Sequence, residues 1–232
     1  MTFLNTSLIR KLIVFLAAAM LSVSAMAADF NQTQRLANQG DAIAQAMLGV
    51  MYYKGEGVPQ DYTKAAKWVE KAANQGMVDA QAMLGLMYTQ GEGVPQDYTK
   101  ARQWYEKAAN QGSVEAQYIL GWMYYDGEGV PQDYTKAAKW YEKAANQGYV
   151  ETQNRLAQMY YKGQGVRQDY TKARQWYEKA ANQGKASAQY NLGVMYYDGE
   201  GVRQNIATAK EFFGKACDNG FQQGCDNYRK LN

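Results

Sequence analysis

The feature that most constrains this chain is an internal repeat. Gly-Glu-Gly-Val-Pro-Gln-Asp-Tyr-Thr-Lys-Ala begins at Gly55, Gly91 and Gly127, each start 36 residues after the last. A fourth copy from Gly163 carries Gln164 and Arg167, and a fifth from Gly199 drifts further. Gly76, Gly112, Gly148, Gly184 and Gly220 close the blocks, so five units run 41–76, 77–112, 113–148, 149–184 and 185–220. A repeat of this length is one supersecondary unit stacked many times.

Each unit reads as two helices. In the first, Ala44, Leu48, Met51 and Tyr52 follow the i, i+4, i+7, i+8 spacing of one helical face. Gly55 can take the left-handed conformation that ends a helix, and Pro59 cannot continue one. Asp61 is then a good N-cap for the second helix. There Tyr62, Ala65, Trp68, Val69 and Ala72 make the apolar stripe, and Asn74-Gln75-Gly76 ends it. Neither helix can bury its stripe alone. Stacked units bury one continuous core, each large side chain contributing about 1.5–3 kcal/mol. The expected fold is therefore all-α, a solenoid of five helix-pair repeats.

Segments outside the five units read as caps. Residues 28–40 match a truncated second helix, with Leu36-Ala37-Asn38-Gln39-Gly40 repeating the unit ending. Residues 221–232 match a lone first helix, with Tyr228 and Leu231 in register with Leu48 and Met51. Asp226, Asn227, Arg229 and Lys230 would give it the polar outer face that a terminal unit needs.

The N-terminus reads as an export signal. Arg10 and Lys11 precede an apolar run from Leu12 to Leu21, and Ala25-Met26-Ala27 is an A-x-A cleavage site. The run is too short to span a bilayer, so cleavage after Ala27 is expected, with no transmembrane anchor left behind. The periplasm is the expected location, and secretion the alternative. Removing residues 1–27 takes away two basic residues and no acid, so the formal charge falls from +3 to +1. Such a balance gives no basic face for nucleic acid.

Absent residue types exclude much chemistry. The chain has no His and two Cys, so it has no Ser-His-Asp triad, no imidazole-held metal and no four-Cys site. No cofactor and no metal ligand are expected, and no catalytic residue is assigned.

Leu48-Gly49-Val50-Met51-Tyr52-Tyr53-Lys54-Gly55-Glu56-Gly57-Val58, followed by Ala65, Trp68, Ala72-Ala73 and Gly76, resembles the Sel1-like repeat. This is a longer-looped relative of the tetratricopeptide repeat. The resemblance covers residues 40 to 232. It implies a right-handed superhelix of helix pairs whose first helices line the concave side. It also implies an adaptor that holds other proteins or peptides. Secreted, cysteine-rich relatives carry a Cys pair in most units, whereas here only Cys217 and Cys225 occur, eight residues apart. A disulfide between them is expected in an oxidising compartment.

Comparison of the units separates scaffold from surface. Gln45, Leu48, Met51, Tyr52, Gly55, Gly57, Val58, Gln60, Ala65, Lys71 and Ala72 have identical counterparts in all five. The clearest variable set sits at Met47, Val50 and Lys54. Its counterparts are Met83, Leu86 and Gln90; Ile119, Trp122 and Asp126; Arg155, Gln158 and Lys162; and Asn191, Val194 and Asp198. Spacing of i, i+3, i+7 puts each trio on one face, the face left over by the core stripe. This face is the expected partner-binding surface. Leu86, Ile119 and Trp122, expected to be exposed, favour recognition over drift. The face runs from apolar to basic at Arg155 and Lys162. It predicts a partner segment in the cell envelope with an apolar stretch and an acidic or amide-rich end.

The residues leave two alternatives open. Trp122, with Tyr118 and Tyr190 nearby, could stack on cell-wall fragments. Most other Tyr, such as Tyr62, Tyr98, Tyr134 and Tyr170, fall on framework positions. The resemblance also implies, for some secreted relatives, a β-lactam or cell-wall hydrolase. Ser113 and Ser187 lack the Ser-x-x-Lys pattern of serine β-lactamases. The carboxylates Asp126/Glu128 and Asp198/Glu200 read as solvated loop residues rather than a glycosidase pair.

Overall fold

The computed structural model describes residues 30–231. The cleavage site and the apolar run before it lie outside them, as do Ala28 and Asp29 of the first cap. Twelve helices and no strand occur among the described residues, and the fold is an all-α helical-repeat solenoid. Helix α1 (Phe30–Asn38) is followed by α2 (Ala42–Lys54) and α3 (Tyr62–Asn74). Next come α4 (Val78–Gln90), α5 (Tyr98–Asn110), α6 (Val114–Asp126) and α7 (Tyr134–Asn146). Then follow α8 (Val150–Lys162), α9 (Tyr170–Asn182), α10 (Ala186–Asp198), α11 (Ile206–Asp218) and α12 (Gln222–Lys230). The elements divide into two compact units: residues through 120 with 128–130, and 121–127 with 131 onward. Within the first, α1 to α5 pack each against the next, and within the second α7 to α12 do the same.

Helix boundaries follow the sequence signals. Gly55 sits at φ 75°, ψ 28°, and its N–H bonds to the Met51 carbonyl. A left-handed residue there costs glycine nothing. Asp61 Oδ1 accepts from the Lys64 N–H at 2.9 Å and caps α3, and Asp97, Asp133, Asp169 and Asn205 repeat the cap. That backbone hydrogen bond is the main reason the Asp61 and Asp133 carboxyls lie below the usual range.

Packing within four of the five pairs depends on a glycine in the first helix, and in α8 the fully buried Ala157 takes its place. A methyl group on Gly85 would stand 2.9 Å from the Tyr105 ring, and one on Gly49 2.5 Å from Val69 Cγ2. The two helices touch backbone to side chain, and Ala65, Val69, Ala72 and Tyr105 are fully buried. Framework tyrosines fill the seams: Tyr53 meets Tyr62 edge-on with centroids 5.1 Å apart, and Tyr125 meets Tyr134 at 5.0 Å.

A glutamine ladder joins one pair to the next. Gln45, Gln81, Gln117, Gln153 and Gln189 each donate Nε2 to the carbonyl eight residues earlier, at 3.0–3.2 Å. Their Oε1 atoms accept in turn: Gln75 donates to Gln45, Gln111 to Gln81 and Gln183 to Gln153, each at 2.8 Å. These buried amides are thus satisfied, as burial requires. In the last such joint, Cys217 and Cys225 occupy the places that Ala181 and Gln189 hold one repeat earlier. They stand at disulfide distance, with Cα atoms 4.5 Å apart.

Candidate functional site

The expected recognition face is only partly a surface. Met83 and Leu86 on α4 and Ile119 on α6 are buried, at 3%, 2% and 2% exposure. The expectation that Leu86 and Ile119 face water is therefore corrected. The cause is lateral packing. Helix α4 lies between α3 and α5, and every residue from Ala80 to Thr89 is buried. A helix apolar around its whole circumference is a buried helix, and Ala-Met-Leu-Gly-Leu-Met-Tyr is apolar all round.

Elsewhere the face does meet solvent. Met47 and Val50 on α2 are half-buried, as are Trp122 on α6, Gln158 on α8, and Asn191 and Val194 on α10. Asp126, Arg155 and Lys162 are exposed. Arg155 lays its guanidinium 6.0 Å from the Tyr125 ring centroid. The members with the most accessible polar groups all belong to the second unit.

That unit also contains a cavity of about 330 Å³. Val194, Tyr197 and Asp198 of α10 line it, with Phe213 of α11 and Asn227, Lys230 and Leu231 at α12. Two of these, Val194 and Asp198, are variable-face positions. The volume is at the small end of ligand pockets, enough for one large apolar side chain and its polar attachments. The wall is apolar at Val194, Phe213 and Leu231. Its lining carries both signs of charge, Asp198 on α10 and Lys230 on α12.

Repeat register explains the cavity. Asn227, Lys230 and Leu231 occupy the positions of Met83, Leu86 and Met87 in α4. In α4 those three side chains are buried, at 3%, 2% and 0% exposure. In α12 a short amide and a charged chain that reaches for water replace two of them, and the slot stays open. Asn227 and Lys230 therefore do more than form a polar outer face. Sequence reasoning missed them, together with Tyr197, Phe213 and Leu231. Laying α12 over α4 residue by residue would have found the substitution.

The other singled-out residues have structural duties. Ser113 Oγ accepts from the Ala116 N–H at 3.2 Å and caps α6. The Tyr53 hydroxyl donates to Glu92 at 2.5 Å, and Tyr161 donates to Glu200. Burial first, and these carboxylates second, push the Tyr53 and Tyr161 phenols up. Glu92 and Glu200 are thus ties between successive repeats rather than solvated residues. The Trp68, Trp104, Trp140 and Trp176 rings each carry their own lysine, with Nζ 3.6–4.0 Å from the centroid. Among the described residues, no group of three or more Cys, Asp or Glu could hold a metal. No helix among them is long and apolar enough to cross a membrane.

The comparisons with known proteins agree with this architecture. A family model for the Sel1 repeat matches residues 42–77, 78–113, 114–149, 150–185 and 186–221. A protective antigen of uropathogenic Escherichia coli with an SLR fold is 40% identical, with a TM-score of 0.79. That match covers 84% of this chain and 42% of the antigen, so the chain spans less than half of its length. A Sel1 repeat protein from Oxalobacter formigenes is 32% identical, with a TM-score of 0.70, over 82% of this chain and 76% of that one. No curated protein matches. Five matched repeats over most of the length place the chain in the Sel1 repeat family.

Proposed function

We propose that this chain is a non-catalytic adaptor of the cell envelope, docking a segment of a protein partner on its second unit. Proteins built from Sel1 repeats are generally protein–protein interaction adaptors. The observation that carries the finer reading is the cavity bounded by Val194, Phe213 and Leu231, where α4 is filled by Met83 and Leu86. A preformed apolar hole with polar groups at its rim is the usual setting for a binding anchor. Exposed Arg155 and Lys162 on α8 supply positive charge elsewhere on the variable face. An apolar side chain enters the slot while an acidic or amide-rich stretch follows the basic positions.

The test is affinity capture from the envelope fraction of the source cell, with the unaltered protein, a Val194→Trp variant and an Arg155→Ala, Lys162→Ala variant as baits. The reading expects one protein retained by the first bait and lost from the second. The basic-face variant should retain less of it, in a salt-dependent way. Equal retention by all three baits would overturn the assignment of the face. The envelope location rests on the export motif before Ala28. It is tested by N-terminal sequencing of the fractionated protein, which is expected to begin at Ala28. A chain that keeps its first residues in the soluble cell interior would overturn that part.

A further inference from the structure

The slot at α12 has the chemistry to recognise one kind of residue. Its equivalent beside α4 is occupied by Met83 and Leu86. The missing volume is thus that of unbranched or γ-branched aliphatic side chains, which the wall of Val194, Phe213 and Leu231 suits. The polar groups are more particular. On α12 Lys230 is an N–H donor and Asn227 can donate from its amide, and Asp198 of α10, which lines the same cavity, is an acceptor. A ligand that satisfies all three presents a carboxylate and an N–H donor close to one aliphatic side chain. In a polypeptide, the closest such grouping is the last residue. There the α-carboxylate and the backbone N–H share one carbon with the side chain.

We infer that the slot binds the C-terminal residue of a partner protein, with an aliphatic side chain of the Leu or Met type. The side chain replaces the two that α12 lacks. The carboxylate meets the Lys230 ammonium and the Asn227 amide, and the residue's own N–H donates to Asp198. The opposed charges set polarity: a chain entering backwards would put its carboxylate against Asp198. A charged hydrogen bond formed in a partly dry pocket is stronger than one at an open surface. This inference rests on the docking reading above and narrows it to one end of the partner.

The experiment is a nuclear magnetic resonance titration of the full, isotope-labelled protein with three short acetylated peptides. One is Gly-Gly-Leu with a free carboxylate, and the second is its C-terminal amide. The third is Gly-Leu-Asp-Gly-amide, with an internal leucine beside an acid. Amide signals of Val194, Tyr197, Asn227 and Lys230 should shift with the first peptide. The second and third should bind at least about tenfold more weakly, the equivalent of one charged contact. Lys230→Ala, at an exposed position, should lose the same tenfold with the fold intact. Asp198→Asn should weaken the free-carboxylate peptide less than Lys230→Ala does. Equal binding of acid and amide, stronger binding of the internal leucine, or no shift up to about 10 mM peptide would each overturn the inference. Partner capture lost in Val194→Trp without preference for a free carboxylate would leave the docking reading standing and remove this one.

Discussion

Two joints of this molecule have the same geometry and different fates. In the joint between α3 and α4, Gln81 donates to the Ala73 carbonyl at 3.2 Å, eight residues back. In the joint between α11 and α12, Cys217 and Cys225 hold those two positions. Beyond the joint the helices diverge. Helix α4 receives the Tyr105 ring of α5 on Gly85 and buries ten consecutive residues. Helix α12 carries Arg229, with its side chain 70% exposed, where α4 has Gly85. Of its residues only Gly224 is buried. Helix α4 is held by packing and α12 by a covalent tie. A nine-residue helix has little stability of its own. The tie lets α12 give up apolar contacts, and the contacts given up are the open slot.

The largest expected difference between the joints lies in the core positions. Leu84→Ala removes a side chain with no exposure and should cost about 2–5 kcal/mol. Its register partner Tyr228 is 37% exposed, and Tyr228→Ala should cost less than about 1 kcal/mol. Urea unfolding of both variants measures this, and equal costs would erase the distinction. Next is the tie itself. Reducing Cys217–Cys225 should release about 2.5 kcal/mol of loop-closure stabilisation, read as faster amide hydrogen exchange in α12 and none in α4. Uniform exchange through both helices would mean that the tie supports the whole stack. Third, Gln81→Ala removes one donor from the Ala73 carbonyl, which keeps the Gly76 N–H, and one acceptor from the Gln111 amide, which keeps the Gly76 carbonyl, at a cost of about 0.5–1.5 kcal/mol.

The smallest effect concerns charge. Burial first, and Glu115 second, raise the carboxyl of Asp79 in the first turn of α4, where α12 has Gln223. A raised carboxyl holds its proton more tightly in the folded state. Its contribution to stability is therefore present at low pH and lost as pH rises through the folded value. Asp79→Asn should raise stability at neutral pH by a few tenths of a kcal/mol and change nothing in acid. A destabilised variant at neutral pH would reverse the sign.

The scaffold was legible because its signals are local and repeated. Gly55, Pro59 and Asp61 state where one helix stops and the next begins, whatever surrounds them. The face was less legible because exposure is set by neighbours. Spacing put Met83, Leu86 and Ile119 on the leftover side of their helices. It did not count the helices that flank α4 on both sides. The apolar circumference of α4 already carried that information, since a helix with no polar side has no wet side. Arg155 and Lys162 were read correctly as exposed because charge resists burial in any setting. The slot escaped notice because Asn227 and Lys230 look like ordinary surface residues. Their meaning comes from what they replace.

Helix α12 leaves open, for a partner, a space that α4 closes with Met83 and Leu86. Asn227→Met with Lys230→Leu restores to α12 the residues that α4 carries at those positions. The account predicts a variant with a higher melting temperature that no longer retains the partner or the free-carboxylate leucine peptide. A more stable variant that binds both as well as the unaltered protein would contradict it.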